Sequence, residues 1–552
     1  MSRGLSHGEV HGGLKPTMLP YSLVTTRTTS RGLRADAGLL ALLWLPGLHA
    51  QPHWTYAAGE RFEVYTTGGD QTARRAIAIF DRAHAMLERV LHLPPPDGPP
   101  TRLIVFSRAK EFAPYATNSS VRAFYQSSPD TDFIVLSSLN GDVFPAAIHE
   151  FSHLVFRRSG SRYPLWLDEG LAEYFSTLTV EGAKLELGRA PRERVQAIGF
   201  GVRLMPLERL FTITRDSAEY NTPSRAELFY AESWAFTHML VTDDRYRDRS
   251  ADVLARLAAN GPTSLALTTV YGRPVKDIAR DFGHYVLRGH YRTSTLGATL
   301  PSAAASTTVR PSSDVEAGVV LATLLAANAS RQRDARAAFE TLERQAPNDL
   351  FLTESLALFH VRGGRMDEAR PYLQRAIALG TTWARIYAYY ADILRVDAGA
   401  ADTAHREVET LLDKAVSLAP NDVEVRILLA RSLIQRRRGA EALAVLTAVT
   451  RVPVEYETMF ADVLAVARQH ARERVVDGRL TNIVCDATGR IFEVATATGP
   501  KRLVDAGRTP EAAALAPALS CGAQDRPVRV GYDENPDAAM RVDGTVTFVT
   551  IR

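Results

Sequence analysis

The sequence predicts an α+β multidomain chain: a small mixed sheet plus helices, then an all-α repeat solenoid, then a small C-terminal β module. Three observations carry this. Alternating apolar runs and helical spacings interleave up to residue 295, Ala-rich helical units recur in phase over 313–470, and short β-type runs broken by Gly, Asp and Asn fill 476–552.

The chain has 552 residues, 46% hydrophobic and 23% charged, a composition that fits several globular domains and excludes a disordered, collagenous or disulfide-dense chain. The net charge of +3 lies wholly in residues 1–50, where Arg3, Lys15, Arg27, Arg31 and Arg34 face only Glu9 and Asp36. The remaining body is formally neutral, so bulk charge gives no drive toward nucleic acid or an anionic membrane.

Residues 1–50 form a signal peptide region. Arg27, Arg31 and Arg34 precede the apolar run Ala37–Leu48, and Leu48-His49-Ala50 supplies small-residue cleavage chemistry. The run is shorter than the roughly 20 residues a bilayer span needs, so no stable membrane anchor is expected. Cleavage near Ala50 gives a secreted or periplasmic protein, and Met18 as the true start gives a signal of ordinary length. Cys485 and Cys521 are the two cysteines; export favours a bridge between them, while two buried thiols stay open as the alternative.

Within 51–295, strands are expected at 61–66, 102–106 and 132–137. A helix follows the first strand, with Ile77, Phe80, His84, Leu87 and Leu91 on one face. Asn140-Gly141-Asp142 makes a turn, with Asp142 a candidate N-cap for the next helix. From 205 to 292 the spacing is helical, most strongly over 226–241. Ser, Thr, Ala and Pro make 296–312 a linker.

Over 313–470, Ala335, Phe339, Leu342 and Pro347 fall in the phase of a tetratricopeptide repeat of about 34 residues. Later units carry Leu356, Ala357, Gly364, Ala369, Leu373 and Ala376, then Leu412, Ala415 and Pro420, then Leu429, Ala430, Ala442, Leu446 and Val449. Such units stack and present a concave face to a peptide or protein partner.

The chemistry lies at His149-Glu150-Phe151-Ser152-His153. On a helix, positions i and i+4 lie about 40° apart around the axis and one turn along it, so two imidazoles reach one metal ion. Zn²⁺ suits two such nitrogens plus a carboxylate and keeps a position for water, which becomes a nucleophile near neutral pH. Glu150 lies between the ligands as a candidate general base.

Downstream, Trp166-Leu167-Asp168-Glu169-Gly170 opens a second helical stretch. Together the two motifs resemble the gluzincin metallopeptidases, with a closer resemblance to peptidase MA-like bacterial proteins carrying tetratricopeptide repeats than to the aminopeptidases. The resemblance spans 149–175 at motif level and, more loosely, 60–292. It implies a zincin-like catalytic domain with an aminopeptidase-like fold over 51–295 and makes Glu169 the third zinc ligand. It also implies that Glu173, one turn on, supports a ligand histidine, and that Tyr230 donates to the oxyanion, with Tyr220 as its rival. Asp168 reads as a helix cap and His238 as a packed histidine. No glycine-rich amine-gripping segment precedes the zinc helix, which favours endopeptidase over aminopeptidase action.

The expected function is an exported zinc peptidase acting on a peptide or protein substrate. The strand at 132–138 is expected to pair with extended substrate as an edge strand, and the repeats to take substrate or a partner. The alternative is a non-catalytic exported scaffold with a vestigial metal site. A minor third reading is a zinc amidase acting on cell-wall peptide.

Overall fold

The computed structural model describes residues 53–91, 101–116, 121–139, 143–181, 184–297, 307–397, 402–486, 489–505, 519–534 and 541–551. The signal region 1–50 and Asp142 lie outside the described residues. Two compact units divide at Ser355/Leu356.

The first unit opens with strands β1 (Thr55–Ala58) and β2 (Phe62–Thr66), helix α1 (Gly69–Leu91), strand β3 (Thr101–Val105), the short α2 (Ala109–Phe112), and strands β4 (Ala123–Gln126) and β5 (Phe133–Leu136). Helices α3 (Phe144–Arg158) and α4 (Leu165–Ser176) follow, then strands β6 (Thr179–Glu181) and β7 (Lys184–Leu187). The helical half is α5 (Arg192–Ala197), α6 (Leu207–Leu210), α7 (Ala218–Asn221), α8 (Pro223–Thr242), α9 (Ser250–Ala258), α10 (Thr263–Tyr271) and α11 (Val275–Arg288). Strand β8 (Ser294–Gly297) pairs back on β7 in a three-stranded sheet.

The main sheet has the order β4-β5-β3-β2-β1-β9, where β9 is Thr308–Pro311. Strands β2, β3 and β5 run parallel, while β4, β1 and β9 pair antiparallel with their neighbours. Alternate residues point to opposite faces. Val64, Leu103, Val105, Ile134 and Leu136 pack into one core with Phe80 of α1 and Phe151 of α3. Tyr65, Ile104, Phe133 and Val135 point the other way, onto Phe112 and onto Ala317, Val320 and Leu324 of helix α12 (Asp314–Ala326).

Two sequence expectations change here. The strand expected at 132–138 is not an edge: β5 is hydrogen-bonded to β3 and β4, and the edge belongs to β4. Within 296–312, Thr308–Pro311 is a sheet strand and Ser313 caps α12 by accepting the Glu316 N–H.

Helices α13 (Gln332–Gln345) and α14 (Leu350–Arg362) continue the chain, and α14 contains the boundary between the units. The second unit goes on through α15 (Met366–Ala378), α16 (Ala384–Asp397), α17 (Asp402–Leu418), α18 (Val423–Gln435), α19 (Gly439–Thr447) and α20 (Glu457–Arg472). The in-phase residues Ala369, Leu373, Ala376, Leu412, Ala415, Ala430, Ala442 and Leu446 are all buried, as stacked helical pairs require. Glu424 is buried between Arg362, which grips both its oxygens at 2.7 and 2.8 Å, and the Tyr456 hydroxyl at 2.8 Å.

Strands β10 (Glu473–Asp486), β11 (Gly489–Thr496), β12 (Gly499–Asp505), β13 (Gly522–Asp533) and β14 (Gly544–Ile551) form the C-terminal module. They close as a barrel in the order β10-β11-β12-β14-β13, with β12 and β14 parallel, the Greek-key arrangement of an OB-type barrel. Cys485 and Cys521 form a disulfide, which settles the open pairing. Among the described residues, no helix is long and apolar enough to cross a membrane.

Candidate metal centre

Helix α3 starts with Pro145 in its first turn, where a missing N–H costs nothing. Val143 occupies the N-cap position, without a side-chain cap bond. Ala147, Ile148, Phe151, Leu154 and Val155 are buried in the core, and His149, Glu150 and His153 are buried with them. At its C-terminal end, Arg157 and Arg158 donate to the two oxygens of Asp132 at 3.0 and 2.9 Å, tying the helix to the sheet.

Helix α4 supplies the carboxylates. Gly170 lets it approach α8 closely: a Cβ there would stand 2.5 Å from the Ser233 carbonyl oxygen and 2.2 Å from Thr237 Oγ1. That approach sets the Glu169 side chain against the two histidines. Nε2 of His149 and Nε2 of His153 lie 3.2 Å apart, and Glu169 Oε2 lies 3.4 and 3.5 Å from them.

This triangle fits zinc. Ligand atoms at about 2.0–2.1 Å in tetrahedral geometry stand about 3.3 Å from one another. Glu169 Oε2 and Glu150 Oε2 are buried with no hydrogen-bond partner. Among the described residues, His149, His153 and Glu169 are the group of three able to hold a metal ion.

Around the triangle lies a ring of acidic and aromatic groups. Glu173 Oε1 stands 3.5 Å from His149 Nδ1, and its carboxylate is gripped by Arg194 of α5 at 2.8 and 2.9 Å. Asp168 Oδ2 stands 3.2 Å from His153 Nδ1. Asp168 is therefore not the cap expected from sequence: Pro164 holds the N-cap position of α4, and Asp168 faces a ligand imidazole. The Tyr220 hydroxyl donates to Glu169 Oε1 at 3.2 Å. Tyr230 is buried against Tyr220 and under the Arg194 guanidinium.

Burial pushes the Glu150 carboxyl up to about 7; His149 and His153 oppose this shift, Glu169 adds to it, and the Tyr125 backbone N–H of β4 opposes it. For Glu169, burial raises the pKa, but His153 and His149 outweigh it and hold the carboxyl well below the usual range. For His153, burial lowers the pKa, and Asp168 and Glu169 together lift it well above the ordinary value. Burial and then Glu169 raise Tyr220 and Tyr230, so both phenols stay protonated and able to donate.

The folded chain thus brings His149, Glu150, His153, Glu169 and Glu173 together. Of the two tyrosines, Tyr220 is the one hydrogen-bonded to Glu169, the candidate metal-binding carboxylate, with Tyr230 behind it. His238 is a satisfied core histidine, bonded to the Tyr285 hydroxyl at 2.7 Å and the Gly188 carbonyl at 2.8 Å. Arg194 and Arg215 carry no sequence signal of a role. Asp168 had one, its place beside Glu169.

Residues 146–263, which carry the whole triangle, match a family described as "Protein of unknown function (DUF1570)". Residues 396–455 match a tetratricopeptide repeat family. Tetratricopeptide repeats are thus present in the helical array, over the matched residues. A curated relative, the cytochrome c-type biogenesis protein CycH of Rhizobium meliloti (strain 1021), is 37% identical over 128 residues. That match covers 23% of this chain and 32% of the relative, so the chain spans about a third of that relative's length. Two solved tetratricopeptide-like structures are similar at 18% identity. One, MamA MSR-1 C2, has a TM-score of 0.21 and covers 29% of this chain and 77% of its own. The other is YrrB, titled a TPR protein with an unusual peptide-binding site, with a TM-score of 0.22 and coverage of 28% and 86%.

Proposed function

We propose that this chain is an exported zinc-dependent peptidase of the gluzincin type, endopeptidase-like in action, whose repeats bind substrate or a protein partner. One observation carries the reading: the 3.2, 3.4 and 3.5 Å triangle of His149, His153 and Glu169 has the spacing of tetrahedral zinc ligands and lies beside a buried Glu150. When bound there, zinc supplies Lewis-acid polarisation of the scissile carbonyl and of water.

The chain's own groups do the rest. His149, His153 and Glu169 hold the ion, with Glu173 and Asp168 orienting the two imidazoles through Nδ1. Glu150 takes a proton from the attacking water at its carboxylate oxygen and hands it to the leaving amine nitrogen. Tyr220 stays protonated, and its single O–H, which here donates to Glu169 Oε1, would turn to the oxyanion when substrate binds, with Tyr230 packed against it.

A second reading is a non-catalytic exported scaffold. The tetratricopeptide match and the name of the CycH relative support it, and the comparisons give it more support than the peptidase reading. The geometry points the other way, since a vestigial site needs neither a base nor oriented imidazoles.

The deciding experiment pairs metal analysis with proteolysis. The full chain is expected to hold one zinc and cleave members of a diverse peptide pool, and Glu150→Gln to hold zinc and cleave none. Zinc with no cleavage by the unaltered chain leaves the scaffold. Cleavage unchanged by Glu150→Gln removes the mechanism.

A further inference from the structure

Beside the triangle stands a cation that the mechanism does not use. Arg215 lies in the turn before α7, and that turn is pinned. The Thr214 N–H donates to Ser217 Oγ at 2.9 Å, the Ser217 N–H to the Thr214 carbonyl at 3.0 Å, and the Asn221 side-chain amide to the Arg215 carbonyl at 2.7 Å. The backbone is held firmly, and the guanidinium only loosely. Its Nη1 lies 3.4 Å from the Tyr220 hydroxyl, its Nη2 3.6 Å from Asp168 Oδ2, and its plane 5.9 Å from the Tyr220 ring. Each of these is a long contact, and the side chain stays 43% exposed. Arg194 differs: it is largely buried and holds both oxygens of Glu173 at 2.8 and 2.9 Å.

Position decides what this cation can meet. Tyr220 touches Glu169 at 3.2 Å, and Arg215 lies one contact further out. It is too remote for the reacting carbonyl and well placed for a group one residue away along a bound chain. A half-exposed guanidinium presents a planar fork of donors that matches a carboxylate through two bonds. Asp168 meets that fork at one nitrogen only, at 3.6 Å, through the same Oδ2 that stands 3.2 Å from His153 Nδ1.

We propose that Arg215 receives a carboxylate of the substrate next to the bond to be cut, so that the site takes peptides carrying either an acidic side chain or a free C-terminal carboxylate there. This rests on the peptidase reading of the triangle, but its test does not.

The probes are three random decapeptide pools, offered to immobilised zinc-loaded full chain carrying Glu150→Gln. The first is amidated and lacks Asp and Glu. The second is amidated and includes both. The third lacks both and ends in a free carboxylate. Charge-assisted bonds to a carboxylate predict roughly tenfold or greater capture of the second or third pool over the first. Whichever of the two is enriched names the source of the carboxylate. Adding Arg215→Gln is expected to return capture to the level of the first pool, and Arg215→Glu to push it below that level, with zinc stoichiometry unchanged in both. Equal capture of all three pools overturns the inference, as does an enrichment that survives both substitutions. If the unaltered chain cleaves the first pool as fast as the others, the inference falls and the peptidase reading stands. If it cleaves nothing while capture still depends on Arg215, the peptidase reading falls and the carboxylate site stands.

Discussion

Arg194 grips both oxygens of Glu173, and the same carboxylate reaches His149 Nδ1 at 3.5 Å. The guanidinium therefore holds a carboxylate that stands against a candidate metal-binding ring. Removing such an outer partner typically lowers metal affinity about 10–100-fold. Arg194→Met is expected to weaken zinc binding within that range, and Glu173→Gln similarly, read by competition with a chromophoric chelator. An unchanged affinity in both would reduce this pair to a structural ion pair.

Glu169→Ala is expected to abolish stoichiometric zinc, since two imidazoles alone hold it poorly. Retention of one zinc per chain would place the third ligand elsewhere. Tyr220→Phe should leave zinc bound and lower turnover by about 10²–10³-fold, the cost of losing one oxyanion donor. Tyr230→Phe should cost less, because its hydroxyl stands behind Tyr220.

Gly170→Ala sets a methyl against the Ser233 carbonyl, a backbone atom that cannot turn aside. Helix α4 must then move off α8. Overpacking of this kind costs about 1–3 kcal/mol, and here the displaced helix carries Glu169. The melting temperature and the zinc affinity are expected to fall together.

Glu232 is fully buried, with one oxygen accepting the Met205 N–H at 2.8 Å and the other without a partner. Burial pushes its carboxyl up to about 8, with the Met205 N–H opposing. A raised carboxyl favours the folded state below the unfolded value near 4.5 and loses that contribution as pH rises through 8. The expected slope is at most about 1.4 kcal/mol per pH unit. Glu232→Gln, which mimics the protonated form, should become progressively more stable relative to the unaltered chain between pH 5 and 8. Parallel denaturation midpoints across that range would remove the assignment.

In the repeats, Glu424 is held by Arg362, by Arg385 at 3.3 Å and by the Tyr456 hydroxyl. Glu424→Ala removes the carboxylate that Arg362 and Arg385 share, and breaking a buried pair costs about 3–5 kcal/mol. The unfolding transition of the second unit is expected to move to lower denaturant, read by circular dichroism. A midpoint within error of the unaltered chain would mean the pair is dispensable.

What could be read beforehand follows from what is local. His149, Glu150 and His153 are set by the helical repeat, and Glu169 by its Trp-Leu-Asp-Glu-Gly surroundings. The repeat residues were legible because each recurs in phase with the others. Arg194 and Arg215 were not, because short helices and turns carry no periodicity and only tertiary folding brings them to the site. Asp168 was misread because its cap role assumed a helix start four residues later than Pro164 provides. Strand β4 escaped notice because its four residues are too few for a pattern, and its presence moves the sheet edge away from β5.

Strand β9 and helix α12 lie after the helical half, yet they complete the first sheet: one pairs with β1, the other lies on the face formed by Tyr65, Ile104 and Val135. Sequence order and structural ownership therefore disagree at this junction. A gene fragment cut at residue 295 would encode every candidate zinc ligand and still expose an apolar sheet face, making it a sticky, insoluble product. Dissection of the two functions should begin beyond α12.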